Sequence, residues 1–200
     1  MYRLERTTTR NPAILLADAK AHLRVDHDTE DSLIESIVLA VQDMLEPPDG
    51  WLGRALARAD YRLTLPGFAD VIKLPAPPLV ELKEFKYFDA DGDEQTVDSG
   101  VYRVVERDIA YIERISGQSW PTVESGRTDP VTVTYTAGYQ EPVAAEGDQE
   151  AIAGEVPEAI QQWMLMQIAQ FYDMRSAISP QQFHGTPFVR HMLESWRVRL

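Results

Sequence analysis

Apolar residues along this chain recur at steps of three and four near both ends and alternate with polar ones in the middle. Leu16, Ala19 and Leu23 stand at helical spacing among helix formers, which predicts a short helix over about 15–23. After Asp26-His27-Asp28, the residues Leu33, Ile34, Ile37, Val38, Val41, Met44 and Leu45 predict a longer helix over 29–46. Asp28 is its expected N-cap, Glu30 and Asp31 favour its first turn, and Pro47-Pro48-Asp49-Gly50 ends it. A third helix is expected over 157–175, with Pro157 at its first position and an apolar face of Ile160, Trp163, Met164, Ile168, Phe171 and Tyr172.

Between them the period changes. Runs beginning at Tyr61, Val71, Val80, Tyr102, Tyr111 and Val131 are rich in β-branched and aromatic residues and separated by Pro, Gly and Asp, predicting an antiparallel β region over about 60–137. The segment 141–155 is acidic and too poor in apolar residues to pack. The expected fold is therefore α+β: a helical core formed by N- and C-terminal helices, an inserted antiparallel β region and an extended C-terminal arm. The body is expected over 1–177 and the arm over 178–200.

Asp89-Ala90-Asp91-Gly92-Asp93-Glu94 places four carboxylates in six positions. A calcium loop of the EF-hand type needs glycine at position 6 and a bidentate Glu at position 12, but counting from Asp89 these fall on Glu94 and Gly100. Asp91-Gly92 between two β-type runs predicts a hairpin tip without metal.

Composition narrows the function classes. With 44% hydrophobic residues over 200 positions the chain can build a substantial core. It has no cysteine, which removes disulfides, thiol catalysis and cysteine-ligated zinc. No apolar run is long enough to span a membrane, and the N-terminus lacks the apolar core of a signal peptide, so an intracellular soluble protein is expected. A net charge of −13 argues against binding to nucleic-acid phosphates. The charge is uneven: Arg190, Arg197 and Arg199 against Glu194 give residues 184–200 a balance of +2, leaving −15 for residues 1–183.

Candidate chemistry is sparse. His22, Asp26, His27 and Asp28 have metal-ligand chemistry, but they span a helix end and the following cap, where the same residues serve dipole and capping roles. Gly117-Gln118-Ser119-Trp120-Pro121 lacks the second glycine of a nucleophile elbow. Glu113 and Arg114 read as a solvent-facing pair. No catalytic residue, metal ligand or cofactor site is expected. In the C-terminal segment Thr186 and Pro187 can start a helix with Phe188, Met192, Leu193, Trp196 and Leu200 along one face. Two readings stand: a last core helix, or an arm that docks on a partner by aromatic anchors. The reversed charge favours the arm.

The order of these signals resembles the head–tail connector (adaptor) proteins of tailed phages and phage-like particles, in the branch with a β insert in the helical core. The matching residues are Ala17 to Asp26, Asp31 to Ile34, Leu74-Pro75-Ala76-Pro77-Pro78-Leu79, Tyr87 to Gly92, Trp120-Pro121, Val131 to Tyr139 and Val156 to Ile160. The resemblance implies a non-enzymatic homo-oligomeric ring, commonly a dodecamer, in the neck of a virion or phage-like particle. Its implied partners are the portal protein above and a tail-side connector or stopper protein below, with DNA passing through and no membrane contact. Synthesis in the bacterial cytoplasm follows from the same likeness. A C-terminal segment is implied to grip the portal or a neighbouring subunit, which assigns that role to Phe183, Phe188, Arg190, Met192, Leu193, Trp196, Arg197, Arg199 and Leu200. The competing expectations are a carboxylate-dependent hydrolase using Asp89, Asp91 and Asp93, and a β-type binding module.

Overall fold

The computed structural model describes residues 2–9, 11–143, 154–174 and 192–199. Two cores organise it, one helical and one between β-sheets. Strand β1 (Arg3–Arg6) comes first, followed by helices α1 (Leu16–Leu23) and α2 (Asp31–Asp43). Seven strands follow: β2 (Ala59–Leu65), β3 (Val71–Lys73), β4 (Leu79–Phe88), β5 (Glu94–Thr96), β6 (Tyr102–Val105), β7 (Tyr111–Arg114) and β8 (Val131–Ala137). Helix α3 (Glu158–Asp173) then returns to α1 and α2. The α+β class and the antiparallel insert between terminal helices are as the sequence predicts.

The strands form a five-stranded sheet, β1-β2-β8-β4-β5, and a three-stranded sheet, β3-β7-β6, with every pairing antiparallel. Alternation decides which face is buried. On β8, Val131, Val133, Tyr135 and Ala137 point into the core while the three intervening threonines face outward. Tyr61 and Tyr135 are register partners on adjacent strands and stack at 6.0 Å between ring centroids. Ile72 and Ile112 of the smaller sheet join Leu63, Phe85 and Val133 of the larger one in the same core.

The helical core is built from Ile34, Val38, Val41 and Leu45 of the α2 region and Ile160, Met164 and Ile168 of α3, with Ala19 of α1. Burying these aliphatic side chains, each worth roughly 1.5–3 kcal/mol, holds the two ends of the chain together. Three local expectations are corrected. Helix α2 starts at Asp31 with Glu30 as N-cap and no capping side chain; Asp28 instead pairs with Lys20 at 2.7 Å, which lowers the Asp28 pKa. Pro157 is the N-cap of α3 rather than its first helical residue, and Phe171 is 38% exposed rather than core. The polar N-terminus is strand β1, laid against β2.

Candidate assembly surface

The helical core and the β region meet where α2 ends, and a buried carboxylate makes the joint. Glu46 is 3% exposed; its Oε1 accepts from the backbone N–H groups of Leu56 and Ala57 at 2.7 and 3.2 Å. Its Oε2 accepts from Arg6 Nη1 of β1 at 2.9 Å. One side chain thus holds the end of α2, the approach to β2 and the N-terminal strand. Next to it Gln42 is fully buried, accepting from the Ala13 N–H at 2.9 Å and donating to the Asn11 carbonyl at 3.1 Å. Hydrophobic periodicity marks neither residue, because each is a polar position on the rim of an apolar face.

The end of the C-terminal segment lies on the same joint. Leu193 is buried in the helical core and Trp196 packs against it. Arg54, 4% exposed, donates from Nε to the Trp196 carbonyl at 2.6 Å and from Nη2 to both Asp108 oxygens at 2.6 and 2.7 Å. The Val198 N–H donates to the Leu52 carbonyl at 2.9 Å, and the Arg197 guanidinium lies over the Trp51 ring at 4.7 Å from its centroid. Arg199 pairs with Glu194 on the surface. Burial raises the Tyr139 phenol above its usual range, against the opposing pull of the Arg54 guanidinium.

Of the residues assigned to a docking arm, Leu193, Trp196 and Arg197 therefore contact this chain's own body, and Met192 is half-buried beside them. Phe183, Phe188, Arg190 and Leu200 lie outside the described residues, as do Thr186 and Pro187. Most of the acidic loop also lies outside them; its two ends meet where the Glu155 N–H donates to the Gln140 carbonyl at 2.9 Å.

The acidic hairpin closes on itself. Asp89 Oδ1 accepts from the Asp91 and Asp93 N–H groups at 3.1 and 3.0 Å, and Oδ2 accepts from the Gln95 side chain at 2.9 Å. These bonds, the one from Gln95 first, hold the Asp89 pKa below the ordinary carboxylate range. Gly92 takes φ 89°, a conformation glycine adopts without strain, and β4 pairs with β5 beyond it, so the expected hairpin is present with a five-residue tip. Glu113 is taken up by its cross-strand partner Arg103 at 2.6 Å, and Arg114 binds the Gln118 carbonyl. Trp120 stacks on Phe68 and donates to the Ala69 carbonyl at 3.1 Å, which places it on the edge of the β core, while Gly117 to Ser119 are exposed. Among the described residues no group of three or more His, Asp or Glu side chains is placed to hold a metal ion, and no helix is long and apolar enough to cross a membrane.

No family model matches the chain, and no curated protein matches it. Solved structures do. A chain from the neck of an empty gene transfer agent (GTA) particle, computed with C6 symmetry, is 25% identical at a TM-score of 0.75; the match covers 99% of this chain and 97% of that one. A chain from the virion of a native GTA particle is also 25% identical, at a TM-score of 0.73 with 98% and 96% covered. The chain resembles a phage-like neck component. A third match, from the neck of a native GTA particle computed with C12 symmetry, is 23% identical at a TM-score of 0.63 and shares the fold across 99% of this chain.

Proposed function

We propose that this chain is a non-enzymatic structural protein of a phage-like particle's neck, an adaptor that forms a ring beneath the portal and joins head to tail around the DNA conduit. The observation that carries it is the likeness along nearly the whole of both chains to a GTA neck component. The C6 and C12 symmetry of the necks containing similar chains supports a ring of identical subunits. The charge supports it too. A body at −15 repels phosphates, which suits a conduit through which duplex DNA slides.

Within that reading, residues 178–200 contact the portal or a neighbouring subunit. Leu193 in the helical core and Trp196 at Arg54 anchor its end, and Phe183, Phe188, Arg190 and Met192 supply the contacts to the partner, because aromatic and arginine anchors concentrate interface energy. The test is deletion of this chain from the producing cells. Particles should then accumulate as closed heads without tails, and normal tailed particles would overturn the proposal.

A further inference from the structure

Beside the apolar row that helix α2 turns to the core runs a second apolar row that is largely exposed. Ile34, Val38, Val41 and Leu45 face inward. One residue behind them, about 100° round the helix, Leu33, Ile37, Ala40 and Met44 repeat the same four-three-four spacing. Leu33 is 39% and Met44 45% exposed, Ala40 is exposed, and Ile37 is half-buried. That row is a ridge.

One residue ahead of the core row, about 100° the other way, the helix borders a recess instead. Leu39 and Val38, with Glu35 at the rim, face Pro12, Ile14 and Leu16 across a largely apolar cavity of about 220 Å³. The far wall is fixed in place because Gln42 clamps the backbone of Asn11 and Ala13. Ridge and recess thus lie on opposite flanks of one helix. Helix α3 beside it has no charged residue between Glu158 and Asp173.

We infer that a second copy of this chain covers each flank, the Leu33–Met44 ridge of one subunit seating in the Pro12–Leu39 recess of the next. A two-fold dimer joins the same patch to itself, whereas a closed ring needs two different complementary patches facing away from each other. The helix supplies such a pair, and spacing of three and four is the register in which side-chain knobs enter holes. A stable contact buries about 800 Å² per partner, so ridge and recess form its apolar centre rather than its whole extent. The inference rests on the proposed ring and names the surface that builds it.

Because the chain has no cysteine, single-cysteine variants report the contact cleanly. Glu35→Cys marks the recess and Ala40→Cys the ridge; both positions are exposed, so folding is retained. Particles are purified from cells making either variant alone or both together, treated with a short bismaleimide, and probed for this chain on denaturing gels. Covalent dimers only when both variants are present are the expected result, together with exclusion of Leu33→Asp from particles while its monomer stays folded. Dimers from a single variant would show a two-fold contact and overturn the inference. So would particles that contain the mixed variants, hold this chain as a ring and give no dimer, an outcome that leaves the proposed function standing. Absence of the chain from particles would remove both.

Discussion

Arg6 and Glu46 meet at 2.9 Å, the arginine side chain 12% and the carboxylate 1% exposed, so that the N-terminal strand is fastened to the end of α2 by a buried ion pair. Removing one member of such a pair strands the other charge and costs about 3–5 kcal/mol. Glu46→Ala also leaves the Leu56 and Ala57 N–H groups without their acceptor. Its denaturation midpoint should fall accordingly, and Glu46→Gln, which keeps an acceptor at Oε1, should fall less. Equal stability of Glu46→Ala and the unaltered protein in urea titration would contradict the joint described here.

Gly138 has φ 121°, and a Cβ placed on it would lie 2.2 Å from the Ala57 carbonyl oxygen, a backbone atom. Gly138→Ala therefore forces the end of β8 away from the approach to β2, and a loss of at least about 2 kcal/mol is expected, since both strain and overpacking contribute. Gly126→Ala is the control: its φ of 85° brings strain but a new Cβ meets nothing within 4 Å, so the difference between the two variants reads the contact together with the greater strain at 121°. Thermal melts of both give the comparison.

Arg54 holds the end of the C-terminal segment through the Trp196 carbonyl. Arg54→Ala should loosen residues 194–199 while the body stays folded, visible as faster trypsin cleavage at Arg197 and a red-shifted tryptophan emission. Arg54→Lys should behave like the alanine variant, because an ammonium cannot reproduce one guanidinium edge on Asp108 and another on the Trp196 carbonyl. An unchanged cleavage rate in both variants would show that other contacts hold this end.

Asp60 accepts from Lys83 Nζ and Thr136 Oγ1, each at 2.7 Å, and these bonds, the lysine's first, hold its pKa below the ordinary value. A carboxyl whose folded pKa is depressed stabilises the fold above its unfolded pKa of about 3.9, and that contribution disappears as pH falls through the folded value. Stability measured between pH 5 and pH 2 should fall less steeply in Asp60→Asn than in the unaltered chain. Parallel curves would remove Asp60 from the acid response.

Strand and helix positions were legible because their periods are strong: the alternation from Val131 to Ala137 and the three-four spacing from Ile34 to Leu45 each bury one face. The rows on α2 were less so. Leu33 and Met44 read as core in one dimension, and only the helix's orientation separates them from Ile34, Val38 and Val41. Leu74-Pro75-Ala76-Pro77-Pro78 carries no periodicity, yet Leu74 through Pro77 are buried and the segment's backbone is satisfied from three directions. The Ala55 N–H donates to the Pro77 carbonyl, the Gly138 N–H to Pro78 and the Tyr135 hydroxyl to Pro75. Strand β1 was missed because an edge strand of Arg, Leu, Glu and Arg buries too little to show alternation. The bond from Arg54 to the Trp196 carbonyl joins residues 142 positions apart, and no local pattern encodes such a pairing.

Electron cryomicroscopy of particles purified from a strain producing this chain measures the central claim most directly. The account predicts a closed cyclic ring of this α+β fold between the portal vertex and the tail, surrounding the DNA channel. A chain found in the capsid shell, in the tail tip, or absent from the particle altogether would contradict it.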